Sequence, residues 1–143
     1  MSGGMDRDPM DRPSPTPPER LRLWVSGVFP GMNEITKAAK SGRGKSNGYS
    51  RMKASNDARV VFAVKVGGGR VFPVPARVSF VWHVANRRHD PDNVSAAQKF
   101  ILDGLVKAGV LKNDSMNEIA SLSHEFRVTP DRPGVEVTLT EVV

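Results

Sequence analysis

The chain has 143 residues, 38% of them hydrophobic and 25% charged, and its 21 Lys and Arg outnumber 15 Asp and Glu for a net charge of +6. That is enough chain for one domain with its own core, and the basic excess favours a polyanionic partner, because neutralising phosphates releases counterions. The absence of cysteine excludes disulfides, thiolate zinc sites and cysteine nucleophiles. No apolar run approaches the roughly 18 residues of a membrane span, and the N-terminus has no signal-peptide core, so an intracellular, cytoplasmic protein with no membrane contact is expected.

Residues 1–18 hold five prolines and almost nothing that packs, and they read as a disordered leader to a single domain over 19–143. Leu21, Leu23 and Val25 alternate with polar neighbours, the period of a half-buried strand. Ile35 to Asn56 reads as a long basic loop with Lys37, Lys40, Arg43, Lys45, Arg51 and Lys53, and with Tyr49 among them. Such a loop suits either DNA phosphates or simple solvation. Ser50 or Ser55 then caps a helix whose face Ala54, Ala58, Val61, Phe62 and Val66 stands at helical spacing, and Gly67 to Gly69 end it. Those glycines lack the Lys-Ser/Thr of a phosphate-binding loop, so no nucleotide cofactor is expected.

Val78, Phe80, Trp82 and Val84 predict a second strand, which delivers the chain to Arg87 and Arg88. A second helix follows, with Asp90 as cap, Pro91 at its first position and Gly109 at its end. Its core face is Val94, Ala97, Ile101, Leu105 and Ala108. Two strands, Leu122 to Thr129 and Val135 to Val142, close the chain. The order β-α-β-α-β-β predicts an α+β domain, a small mixed sheet with two helices.

Asp90 and Asp92 stand at a strand-to-helix junction. On one continuous helix, Lys99 lies at about −20° and Asp103 at about +20° from Asp92, on the side away from the core face. Asp114 joins them if the strand that follows folds back beside the helix start. Carboxylates in such a group suit Mg²⁺, which takes one or two of them with waters and substrate phosphate. Taken singly, each residue has a plainer reading as a cap, an ion-pair partner or a turn residue. Spacing alone leaves both readings open.

Arg87 to Asn93, Arg-Arg-His-Asp-Pro-Asp-Asn, followed by Lys99, Asp103, Gly109 and Asn113-Asp114, resembles the RusA family of Holliday junction resolvases. The resemblance spans roughly Leu21 to Val143 and is specific only between Arg87 and Asp114. It implies a RusA-like fold with Asp90, Asp92 and Asp114 as metal-binding catalytic carboxylates, Lys99 as the catalytic lysine, and Asp103 and Asn93 as accessory residues. It also implies Mg²⁺, with Mn²⁺ as a substitute, a homodimer, and paired nicks in four-way DNA junctions, by an enzyme often encoded in phages or prophages. One departure stands out: the family's lysine comes four residues after the second Asp, and Lys99 comes seven after Asp92. Two further functions are carried alongside, a related nuclease for forks and flaps, and a catalytically silent DNA-binding module.

Overall fold

The computed structural model describes residues 17–41 and 48–143, so the leader up to residue 16 and the loop cations Arg43 and Lys45 lie outside the described residues. The elements run β1 (Arg20–Ser26), α1 (Met32–Ala39), α2 (Gly48–Val66), β2 (Ala76–Val84), α3 (Pro91–Ser95), α4 (Gln98–Lys107), β3 (Ile119–Val128) and β4 (Gly134–Glu141). The strands form one mixed sheet in the order β1-β4-β2-β3. β4 pairs antiparallel with both β1 and β2, whereas β3 lies parallel to β2. The α+β class and the mixed sheet agree with the sequence pattern; the number of helices does not.

The strands alternate as their hydrophobic period requires. Leu21, Leu23, Val25, Val78, Phe80, Trp82, Val135, Val137 and Leu139 are buried in one core with Val60, Val64, Phe100, Ile101 and Leu105 from the helices. The other sheet face is polar, with Arg22, Arg77, Ser79, Glu136 and Thr138 half-buried or exposed.

Three expectations need correction. The basic loop contains a helix, α1, and ends seven residues before Ser55, because α2 starts at Gly48. Glu34 starts α1 by accepting a hydrogen bond from the Gly31 N–H at 2.8 Å, half of a capping box that a reading for loops overlooks. Second, α2 presents Asn56, Asp57, Val60, Ala63 and Val64 to the core, and leaves Phe62 and Val66 68% and 71% exposed. Apolar residues surround this helix, so its period does not choose a face; close packing does. At Gly104 of α4, an added Cβ would meet Val60 Cγ1 at 2.7 Å. The missing side chain lets α2 approach α4 along the Val60 stripe.

Third, the helix predicted from Asp90 to Gly109 is two helices. Between them the amides of Ala97, Lys99 and Phe100 bond three residues back, to Val94, Ala96 and Ala97. Ala96, at φ −56° and ψ −27°, has the dihedrals of a 3₁₀ turn. Val94, Ala97 and Phe100 stand three apart, the spacing that such a turn eclipses, and the turn brings Ala97 and Phe100 together into the core. Gly109 ends α4 with φ +82°, as expected of a residue free to take that conformation.

His124 lies on β3 within a stack of Phe80, Trp82 and Phe126. Its Nδ1 accepts from Trp82 Nε1–H at 2.9 Å, and its Nε2 lies 3.1 Å from Gln98 Oε1. Burial pulls its pKa below the ordinary 6.5. The folded state therefore binds fewer protons than the unfolded one as pH falls through 6.5, and stability is lost in that direction. Urea melts between pH 7.5 and 5 should show this loss, at up to about 1.4 kcal/mol per pH unit, and His124→Gln should flatten the slope.

Candidate active site

Asp90 and Asp92 stand where β2 has just ended. Asp90 occupies the N-cap position of α3, with extended φ −78° and ψ 142°, yet its carboxylate makes no capping hydrogen bond. The carboxylate finds no partner among the described residues, so the plain reading of Asp90 as a side-chain cap is not realised. Asp92 Oδ1 accepts only the adjacent Asn93 N–H at 2.9 Å. Arg87, Arg88, His89, Asp90 and Asp92 are all exposed. Two carboxylates with free oxygen lone pairs thus face solvent beside two exposed guanidinium side chains.

Asn93 fixes this corner. Its Oδ1 accepts the Asn33 N–H at 3.0 Å, tying α3 to the first turn of α1. A Cβ at Gly31 would lie 2.8 Å from Asn93 Cγ, so the glycine makes room for this amide. From the other side Arg59 of α2 braces the segment after β1. It donates to the Ser26 and Val28 carbonyls and to Asn56 Oδ1, and its guanidinium lies 3.8 Å from the Phe29 ring centroid. The sequence offered one signal for Arg59: with Asn56 and Asp57, it interrupts an otherwise apolar stretch of helix.

Lys99 is exposed on the first turn of α4, and no partner holds its ammonium among the described residues. The 3₁₀ turn corrects its bearing. Three residues at about 120° instead of about 100° move Lys99 from about −20° to about +40° relative to Asp92. It remains on the side of Asp92.

Asp114 is not brought to this corner. Because β3 runs parallel to β2 and begins opposite Ala76, the chain just before β3 lies at the start of β2, while Asp90 and Asp92 follow its end. The nine residues of β2 separate these ends by roughly 30 Å. The fold-back that would unite the three carboxylates in one subunit does not occur. Among the described residues no group of three or more His, Asp or Glu is placed to hold a metal ion.

Asp103 is also elsewhere. It faces α2, with Lys53 Nζ at 3.5 Å, rather than forming part of the Asp92 face. Lys53 bonds Asp57 Oδ2 at 2.6 Å, and Lys107 lies 3.5 Å from the same oxygen. Asp57 is fully buried, and its Oδ1 has no partner. The hydrogen bond to Asp57 holds the Lys53 ammonium above its ordinary pKa, so this cation belongs to the α2–α4 contact. Of the basic-loop residues, Lys37 and Lys40 are exposed on and just after α1, and Arg51 is exposed on the first turns of α2. No helix among the described residues is long and apolar enough to cross a membrane. No protein-family model matches the chain, and no curated protein matches it either.

Proposed function

We propose that this chain is a Mg²⁺-dependent endonuclease of the RusA type that nicks branched DNA, four-way junctions above all, as a two-fold homodimer. One observation carries the reading: Asp90 and Asp92 are two exposed carboxylates without charged partners at a braced turn, flanked by Arg87 and Arg88. Acidic side chains repel a phosphate strand unless a cation lies between them. Their hard oxygens fit Mg²⁺, which, when bound, polarises a phosphoryl oxygen and lowers the pKa of a coordinated water. Arg87 and Arg88 hold backbone phosphates, and Lys99 adds a compact positive charge on the Asp92 side.

A dimer answers the position of Asp114. β3 is an edge strand, and Leu122, Phe126 and Val128, on the same sheet face as buried Val78 and Trp82, are 42%, 37% and 41% exposed. A bare edge with an apolar inner row is a template for pairing with another chain. Two copies joined antiparallel along β3 are reversed end for end, so the Asp114 end of one meets the Asp90 and Asp92 end of the other. Each composite site then combines two carboxylates of one copy with the third of its partner, and two-fold symmetry gives one site for each of two equivalent strands.

The test incubates the protein with labelled four-way, forked and linear duplexes, in Mg²⁺ or EDTA. Paired symmetric nicks on the junction, lost in EDTA, are expected. Cutting confined to forks or flaps would replace the substrate, equal cutting of linear duplex would remove branch selectivity, and binding without any cutting would leave a silent DNA-binding module. Phe126→Glu, an exposed edge substitution, should turn the dimer into a folded monomer by light scattering and reduce cleavage at least tenfold. An unchanged dimer would show that the subunits join elsewhere.

A further inference from the structure

Behind the Asp90–Asp92 turn lies a small cavity of about 90 Å³. Drug-sized ligands occupy pockets of about 300–1,000 Å³, whereas an engineered apolar cavity of about 150 Å³ admits one benzene ring. This cavity has the scale of a single flat ring. Its walls are largely apolar, with Phe29, Trp82, Ala85 and Val94, and Asn93 and Glu34 add an amide and a carboxylate. Phe29 stands edge-on to Trp82, with ring centroids 6.2 Å apart and planes at 84°. Arg59, already bonded to the carbonyls on either side of Gly27, holds the Phe29 wall in place.

The position of the cavity selects its occupant. Asn93 and His89, which line it, directly adjoin Asp92 and Asp90, and exposed Arg87 and Arg88 stand at the same turn. A nucleic-acid strand offers the matching chemistry, charged phosphates for the basic rim and a flat base with polar edges for the interior. We infer that this cavity receives one unstacked nucleobase of the DNA strand whose phosphate lies at the Asp90–Asp92 turn. The inference rests on the nuclease reading and adds a base-binding subsite to it. A base held there anchors the strand from the side opposite the cation, and branch points supply unstacked bases at low cost.

The test places 2-aminopurine, whose fluorescence rises on unstacking, at each position within two nucleotides of the mapped nick in a four-way junction. Binding is read in Ca²⁺ and cleavage in Mg²⁺. One position should brighten several-fold with the wild-type protein. Ala85→Phe fills the mouth of the cavity from an exposed position and should abolish that rise while retaining junction binding in a gel shift. An abasic nucleotide at the responsive position should slow cleavage by wild-type protein about tenfold, and should add nothing to the slowing caused by Ala85→Phe. Cleavage without brightening at any position, or equal brightening with Ala85→Phe, overturns the subsite and leaves the nuclease standing. Absence of cleavage by the wild type overturns both.

Discussion

Asp92→Asn is expected to lower the rate of junction nicking on the order of 10³-fold, the scale of losing a principal electrostatic element of an active site. The substitution keeps the shape of the side chain and the acceptor for the Asn93 N–H, and removes only the charge. Asp92 is exposed, so its loss should leave the melting temperature almost unchanged, as surface changes away from buried features fall within about 0.5 kcal/mol. Activity and stability therefore separate cleanly. Single-turnover cleavage and a thermal melt on the same sample make the comparison. Cleavage at wild-type rate would remove Asp92 from the site, and with it the metal assignment.

The second large effect is a recovery. Asp92→Asn and Asp114→Asn should each be inactive alone, yet a mixture of the two should nick. In a mixed dimer one composite site carries both substitutions. The other combines Asp90 and Asp92 of the second variant with Asp114 of the first, and is intact. If subunits exchange at random, half of the dimers are mixed and hold one good site of two, giving about a quarter of the wild-type number of sites. Products should be single nicks, because paired cutting needs both sites. Sites contained within one subunit would yield no activity from any mixture. The experiment thus distinguishes the topological argument from a rearrangement that brings Asp114 to its own subunit's turn.

How legible these features were depended on how local their causes are. The strands around Leu23, Phe80 and Val137 were readable because a period of two and one buried face leave little choice. The junction at Asp90 was readable from its cap, its proline and the strand before it. The face of α2 was not, since Val60 and Val64 compete with Phe62 and Val66 on a helix apolar all round. Only the side chain missing at Gly104 decides between them. The pairing of Lys53 with Asp57 and Asp103 was illegible for the same reason: it spans two helices whose separation no local pattern sets. The position of Asp114 depended on strand pairing. A chain leaving α4 can return on either side of the sheet or at either end, and the parallel register of β3 with β2 is a long-range fact.

The short 3₁₀ turn between α3 and α4 has a metric consequence. Three residues at about 120° complete one full revolution, so they lengthen the path from Asp92 to Lys99 without turning it. At about 2.0 Å per residue the lysine stands about 6 Å farther along than a spacing of four residues would place it, at the same bearing. Along a DNA strand, with about 3.4 Å of rise per nucleotide, that displacement carries a positive charge past one phosphate toward the next. An insertion of one whole screw turn is thus a change of reach rather than of aim.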